Sequence, residues 1–216
     1  MSTITISREI GSKGDWIAEE CAKRLGFYLV TKHTLERIFL QYGFVEFNEK
    51  YDEDVSSFWA RFDPQLGEMV GMLNRITLTL AAYGNVVLVG RGGFAMLKNY
   101  MDVLNVRIQA PLPLRISAVM REQKLTEQTI AESIVRESDQ VRQHFLDTAY
   151  GSRWNSTGSF DLVVDTGKIT PEMAIEWVVD TTIRLRDRNL TFENTTASLV
   201  IDPVLMKSIE EVLEKD

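Results

Sequence analysis

Apolar residues follow two rhythms along this chain. Four short runs, "TITI" at 3–6, "NVVLVG" at 85–90, "LNVRIQA" at 104–110 and "FDLVVDT" at 160–166, are dense in β-branched residues and about as long as buried strands. Between them apolar residues recur at three- and four-residue steps. Ile17, Cys21, Ala22 and Leu25 predict a helix over 13–25 that stops at Gly26. Residues 32–42 and 65–83 carry helical spacing too, whereas 43–64 are acidic and aromatic with no clear period. "PLPLRISAVMREQKL" opens a helix with proline in its first turn, and a long helical pattern runs from Glu127 to about Tyr150. "TPEMAIEWVVDTTIRLRDR" has Thr170 as N-cap, Pro171 at the first helical position and Glu172 in the first turn.

Strands separated by helices predict an α/β fold whose parallel sheet is covered by helices on both faces. The region 31–83 is too long for a simple crossover and reads as a small substrate-binding insertion. The core ends near 188. Beyond it, "NLTFENTTASLVIDPVLMKSIEEVLEKD" is a polar linker leading to a short amphipathic helix after Pro203, its apolar side suited either to the chain's own body or to a second subunit.

Composition narrows the function classes. A length of 216 residues suits one domain with a small insertion, and 44% apolar with 25% charged residues is ordinary for a soluble globular protein. A net charge of −7 argues against general nucleic-acid binding, which needs a basic surface, but is compatible with a small anion held by local arginines. Cys21 is the only cysteine, so no internal disulfide forms, which fits an intracellular protein. With His33 and His144 it gives no metal-site spacing, and no metal ligand is assigned. No apolar stretch reaches about 18 residues, and the N-terminus alternates like a strand rather than opening with a basic and then apolar leader. Cytoplasmic residence without membrane contact is the expectation.

Candidate chemistry begins at "ITISREIGSKGDWIAEECAKRLG", residues 4–26. A strand, a tight loop and a helix start bring backbone N–H groups and the positive helix end together, an arrangement suited to an anion. Gly11 and Gly14 allow close backbone approach, Ser12 offers a hydroxyl, and Arg8 or Lys13 can supply charge, with Asp15 in the first turn. The usual phosphate loop is G-x-x-x-x-G-K-[ST]. In the register that aligns strand and helix, Arg8 stands at its first glycine, Lys13 at its second, Gly14 at its lysine and Trp16 at its hydroxyl. On these residues alone a plain connection, with Asp15 as a capping acid, is the simpler account.

A second stretch, "RESDQVR", sets Arg136, Asp139 and Arg142 at three-residue steps. On a helix these project from neighbouring positions, so that two guanidinium forks can face one ligand while the carboxylate orients one of them. Phosphoryl transfer needs such positioned charge more than covalent catalysis. The plain alternative is an exposed helix carrying weak salt bridges.

In their order, "ITISREIGSKGDWIAEECAKRLG", "VVLVGRGG" at 86–93, "APLPLRISAVMRE" at 110–122, "RESDQVR" and "FDLVVDTGKITPEMAIEWV" at 160–178 resemble the cytidylate kinase family, most closely its divergent cytidylate kinase-like branch. The resemblance covers about residues 4–185. It implies a three-layer P-loop kinase fold over 1–188, with an acceptor-binding insertion at about 31–83 and a lid at about 124–158, followed by a linker and short helix at 189–216. It also implies ATP-dependent phosphoryl transfer, with Mg²⁺, to CMP, dCMP or a related small acceptor.

The same resemblance assigns roles. The lid pattern Arg-x-x-Asp-x-x-Arg falls on Arg136, Asp139 and Arg142, the arginines gripping donor and acceptor phosphates and Asp139 orienting them or the acceptor. Gly90 and Arg91 match the Gly-Arg of a Gly-Arg-Asp segment that contacts the monophosphate, with Gly92 at its aspartate. Arg115 and Arg121 lie in a helix similar to the family's arginine-bearing segment, and Thr31 resembles its small hydroxyl residue, although Val30 stands where an acid precedes it. Arg37, Arg61 and Arg75 fall in the acceptor region without a motif match. The branch commonly has SR-x-x-GS-x-G at the loop, which "SREIGSKG" fits, so Arg8, Gly11, Ser12, Lys13, Gly14 and Asp15 are the donor-phosphate candidates and Lys13 the catalytic one. Asp165, at a strand end, is placed to approach magnesium or simply to cap a turn. The absent lysine and hydroxyl keep open a non-catalytic nucleotide sensor, and the shared architecture a kinase of a non-nucleotide small molecule. A homo-oligomer through the tail is a further expectation.

Overall fold

The computed structural model describes residues 2–42, 66–151, 156–188 and 194–215. Five strands, β1 (Thr3–Arg8), β2 (Tyr28–Val30), β3 (Val86–Val89), β4 (Val103–Gln109) and β5 (Leu162–Asp165), form one parallel sheet in the order β2-β3-β1-β4-β5. Between and after them run helices α1 (Gly14–Leu25), α2 (Lys32–Gln41), α3 (Leu66–Tyr83), α4 (Gly93–Leu97), α5 (Leu112–Glu122), α6 (Gln128–Tyr150), α7 (Pro171–Arg186) and α8 (Pro203–Leu213). The parallel α/β architecture expected from the alternating runs is the one observed.

Strand alternation builds two separate cores. Val87 and Val89 of β3 join Ile4, Ile6, Val106 and Ile108 against α1 and α7 on one face. Val86 and Leu88 point the other way, into a cluster with residues of α2, α3 and α8. On that second face β1 presents Thr3, Thr5 and Ser7, all buried. Hydrogen bonds offset their burial: the Thr3 hydroxyl donates to the Ala81 carbonyl and the Thr5 hydroxyl to Asn105 Oδ1.

The helix boundaries follow local chemistry. α1 stops where Gly26 turns left-handed (φ 66°), and α7 starts where the Thr170 hydroxyl accepts from the Met173 amide with Pro171 behind it. β2 is the one strand that periodicity does not predict; three residues are too few to display an alternation, and β2 exists because β3 pairs with it. The tail helix α8 is capped by the Asp202 carboxylate and buries Leu205, Ile209, Val212 and Leu213 in the α2–α3 core. Of its two expected seats, the apolar side takes the chain's own body, so that face is not available to a second subunit.

In a parallel sheet every strand's carboxyl end lies on one edge. The order of this sheet puts the loop after β1 between the turn after β3 and the loop after β4, the edge where open α/β sheets hold ligands. Among the described residues no helix is long and apolar enough to cross a membrane. Residues 43–65 of the expected insertion, Arg61 included, lie outside the described residues.

A three-arginine cleft at the carboxyl edge of the sheet

The loop after β1 is closed from inside. Its Ser12 side chain is fully buried and donates to the Glu9 carbonyl at 2.7 Å and the Ile108 carbonyl at 3.4 Å, so the hydroxyl holds the turn together instead of facing the cleft. Thr166, just past β5, donates through its hydroxyl to the Ser12 carbonyl. Gly11, at φ +76°, packs on α5: a Cβ there would lie 2.6 Å from the Arg115 carbonyl oxygen. Lys13 is the left-handed N-cap of α1 (φ 67°), and its ammonium sits 3.4 Å from Glu122 at the end of α5 in a half-exposed pair.

Arg8, the last residue of β1, crosses above the helix start. A Cβ on Gly14 would lie 2.3 Å from the Arg8 Cβ and 2.8 Å from its Cγ. The Nε and Nη2 edge of Arg8 is held 2.8 Å from Asp15 Oδ1, while Nη1 lies 2.5 Å from where a Gly90 Cβ would project. Gly90, Arg91 and Gly92 are consecutive positive-φ residues, at 75°, 57° and 74°. For Arg91 that conformation costs about 1–2 kcal/mol, strain of a kind found at ligand sites. Gly92 also lies beneath the Tyr150 ring, which packs edge-on against Phe145 and donates its hydroxyl to Asn74, so an aspartate at 92 has no room.

Arg8, Arg91 and Arg142 line one cleft together with Ser7, Gly90, Gly92, Phe94, Val141, Phe145 and Leu146. Burial, and then the charge of Arg8, pushes the guanidinium of Arg91 down to about 10; burial and Arg8 do the same to Arg142. Arg91 and Arg142 remain cationic at neutral pH, and the neighbouring guanidinium of Arg8 raises the energy of both. A cleft of this kind is stabilised by an anion with several oxygens, which guanidinium forks match in geometry.

Beneath the cleft runs a second arginine system. Glu9 accepts from Arg107 of β4 at 3.1 Å and from the Ala110 amide at 3.1 Å, and lies 3.4 Å from Arg115. Arg115 is nearly fully buried in α5; it donates through Nε to the Ile10 carbonyl and through both terminal nitrogens to Asp139 of α6, at 2.9 and 2.6 Å. Loop, β4, α5 and α6 are thus bound by buried, charge-assisted hydrogen bonds. Arg115 was expected at substrate and Asp139 beside the lid arginines; the structure joins the two to each other.

The expected triad is divided. Arg142 faces the cleft, and its Nη1 donates to Ser138. Asp139 faces α5. Arg136 is exposed and pairs with Glu132 at 2.6 Å on the outer side of α6. Each three-residue step falls about 60° short of a full helical turn, so two such steps spread the arginines over a third of the circumference. Thr31 caps α2 in a reciprocal box with Thr34, and Arg121 is exposed at the end of α5. Arg37 donates to the Val212 carbonyl and Arg75 to Asp202, both toward the tail helix. Asp165 accepts from the Gly167 amide, capping its own turn. Glu9 was not anticipated as a site residue; the available signal was Arg107, a charge inside a strand run that required an acid nearby.

Comparisons with known proteins agree with this architecture. The chain matches the Cytidylate kinase-like family over residues 3–168. It is 30% identical over 183 residues to a cytidylate kinase of Ignicoccus hospitalis, covering 82% of this chain and 97% of that protein. A stretch of 100 residues is 33% identical to a uronate isomerase of Corynebacterium glutamicum, 45% of this chain; the chain spans only 19% of that relative's length. In fold it is similar to an uncharacterized protein from Eubacterium ventriosum, with a TM-score of 0.67 at 17% identity over 87% of this chain and all of that one. The chain belongs to the cytidylate kinase-like family.

Proposed function

We propose that this member of the cytidylate kinase-like family transfers the γ-phosphoryl group of ATP to a nucleoside monophosphate, with CMP and dCMP the first acceptors to test. The observation that carries the reading is the convergence of Arg8, Arg91 and Arg142 on one cleft at the carboxyl edge of a parallel sheet. Phosphoryl transfer proceeds through a state whose charge is spread over peripheral oxygens, and fixed cations stabilise it with little covalent work from the protein. Arg91, on its strained turn, binds the acceptor phosphate. Arg142, borne on α6, bridges acceptor and transferring group. The first-turn amides of α1 and Arg8 hold the donor, with Lys13 at the rim where its pairing with Glu122 leaves it half exposed. Phe94, Phe145 and Leu146 form an apolar wall that excludes water from the transfer.

Mg²⁺ enters with the nucleotide. At the usual magnesium hydroxyl this chain has Trp16, and among the described residues no three His, Cys, Asp or Glu side chains are grouped to hold a metal. The ion, when bound, neutralises phosphate charge; the residues described above supply orientation. In this reading residues 31–83 form the acceptor side and 124–158 the lid, with Arg136 acting only at its outer edge and Thr31 and Arg121 outside the chemical step.

ATP consumption measured against CMP, dCMP, UMP and AMP, with and without Mg²⁺, tests the proposal. Turnover with one of these acceptors is expected. Saturable nucleotide binding with no turnover on any of them sinks it in favour of a nucleotide sensor on the same fold, a reading favoured by the absence of lysine at Gly14.

A further inference from the structure

The usual phosphate loop carries its outer-phosphate lysine on the first turn of the helix, at the position occupied here by Gly14. Two cations flank the gap, and the structure treats them differently. Lys13 turns away toward Glu122, on the α5 side. Arg8 runs the other way. Its Cβ and Cγ occupy the very space that a side chain on residue 14 would need, 2.3 and 2.8 Å from that residue's ideal Cβ, and its guanidinium continues into the cleft beside Gly90.

We infer that Arg8 holds the donor's outer phosphates in place of the missing lysine, its charge delivered from the end of β1 instead of from α1. This rests on the kinase reading above. The exchange has a geometric logic: residues 8 and 14 lie on opposite sides of the loop mouth, and only one of them can carry a side chain across it. In this reading position 14 is glycine because the stem of Arg8 fills its side-chain space, not because the site has decayed. Asp15 completes the device. By holding the Nε and Nη2 edge at 2.8 Å it fixes the plane of the guanidinium and directs Nη1 into the cleft, a pre-organisation that a flexible lysine lacks. Arg8 is also the charge first felt, after burial, by both Arg91 and Arg142, so a phosphate between them relieves all three at once.

The test is a reciprocal exchange, read by calorimetric binding of ATP and of inorganic tripolyphosphate and, separately, by turnover. Arg8→Gln, which keeps the packed stem and removes the charge, should weaken tripolyphosphate binding at least tenfold and slow turnover by about 10²–10³-fold. Gly14→Lys alone should also impair binding, because the new side chain collides with Arg8. Arg8→Gly combined with Gly14→Lys, in which no Cβ remains at position 8 to meet the new side chain, should regain at least tenfold over Arg8→Gly, with circular dichroism showing that each variant is folded. Wild-type affinity in folded Arg8→Gln overturns the assignment, as does a folded double variant that binds no better than Arg8→Gly. Wild-type protein that binds tripolyphosphate through Arg8 but turns over no acceptor refutes the kinase reading alone; wild-type protein that binds no tripolyphosphate refutes both.

Discussion

Two arginine systems meet at the carboxyl edge of this sheet and differ in what they hold. In the buried network, Arg107 and Arg115 meet Glu9 and Asp139 at hydrogen-bonding distance, so charge is matched within the protein. In the cleft, Arg8, held by Asp15, converges with Arg91 and Arg142 on one surface, and burial together with the charge of Arg8 pushes the latter two down to about 10. The first arrangement fastens elements together; the second, in the function proposed above, meets the phosphates of the nucleotides. α6 serves both, with Asp139 facing inward to the network and Arg142 facing the cleft. The distinction separates stability from function among residues of identical chemistry.

The largest effect should come from breaking the fastener. Arg115→Ala removes a buried guanidinium, leaves the partly buried Asp139 without its arginine and strips Glu9 of one of its two, and should cost about 3–5 kcal/mol, measured by denaturant unfolding. A loss under about 1 kcal/mol would mean that the network carries no structural load. Arg142→Ala should do the reverse: turnover falls by about 10²–10³-fold while the unfolding midpoint holds or rises, because a mutually repelling charge is gone. Loss of stability with retained turnover would invert the assignment of the two systems.

Proton linkage sharpens the same contrast. Arg91 and Arg142 have folded-state values near 10, below the ordinary guanidinium range, so their charge is lost in the folded protein first. Tripolyphosphate affinity should accordingly decline as pH rises through about 10. The sign for folding is opposite: the unfolded chain keeps these protons to higher pH, so the contribution of these groups to stability improves as pH rises above about 10 toward the ordinary guanidinium range. An affinity flat from pH 8 to 11 would remove the two arginines from the anion site. The smallest effect is expected for Arg136→Ala, whose exposed pair with Glu132 is worth a few tenths of a kcal/mol in unfolding experiments. Its turnover loss should stay below tenfold; a loss as large as that of Arg142 would mean that α6 rotates or closes before transfer.

Much of this architecture is legible along the chain. The four β-branched runs and the helical spacing between them are local signals, and they sufficed for a parallel α/β sheet; Gly26, Thr170 and Pro171 marked helix ends because caps are decided by their own residues. Arg8, Arg91 and Arg142 stood among the candidates because arginines beside glycine turns and on the lid helix are visible in sequence. Their meeting was not. It depends on β1 lying next to β3 and on which side of α6 turns inward, quantities set by the sheet order and by helical phase. Sequence spacing made Arg136, Asp139 and Arg142 look like one group, and three-dimensional packing sent them to three surroundings. The sequence by itself determined the elements, their caps and the presence of unusual cations around a lysine-free loop. Only the tertiary structure decided which cations are matched by buried acids and which converge on the cleft, because charge pairing depends on distances between segments that are remote along the chain.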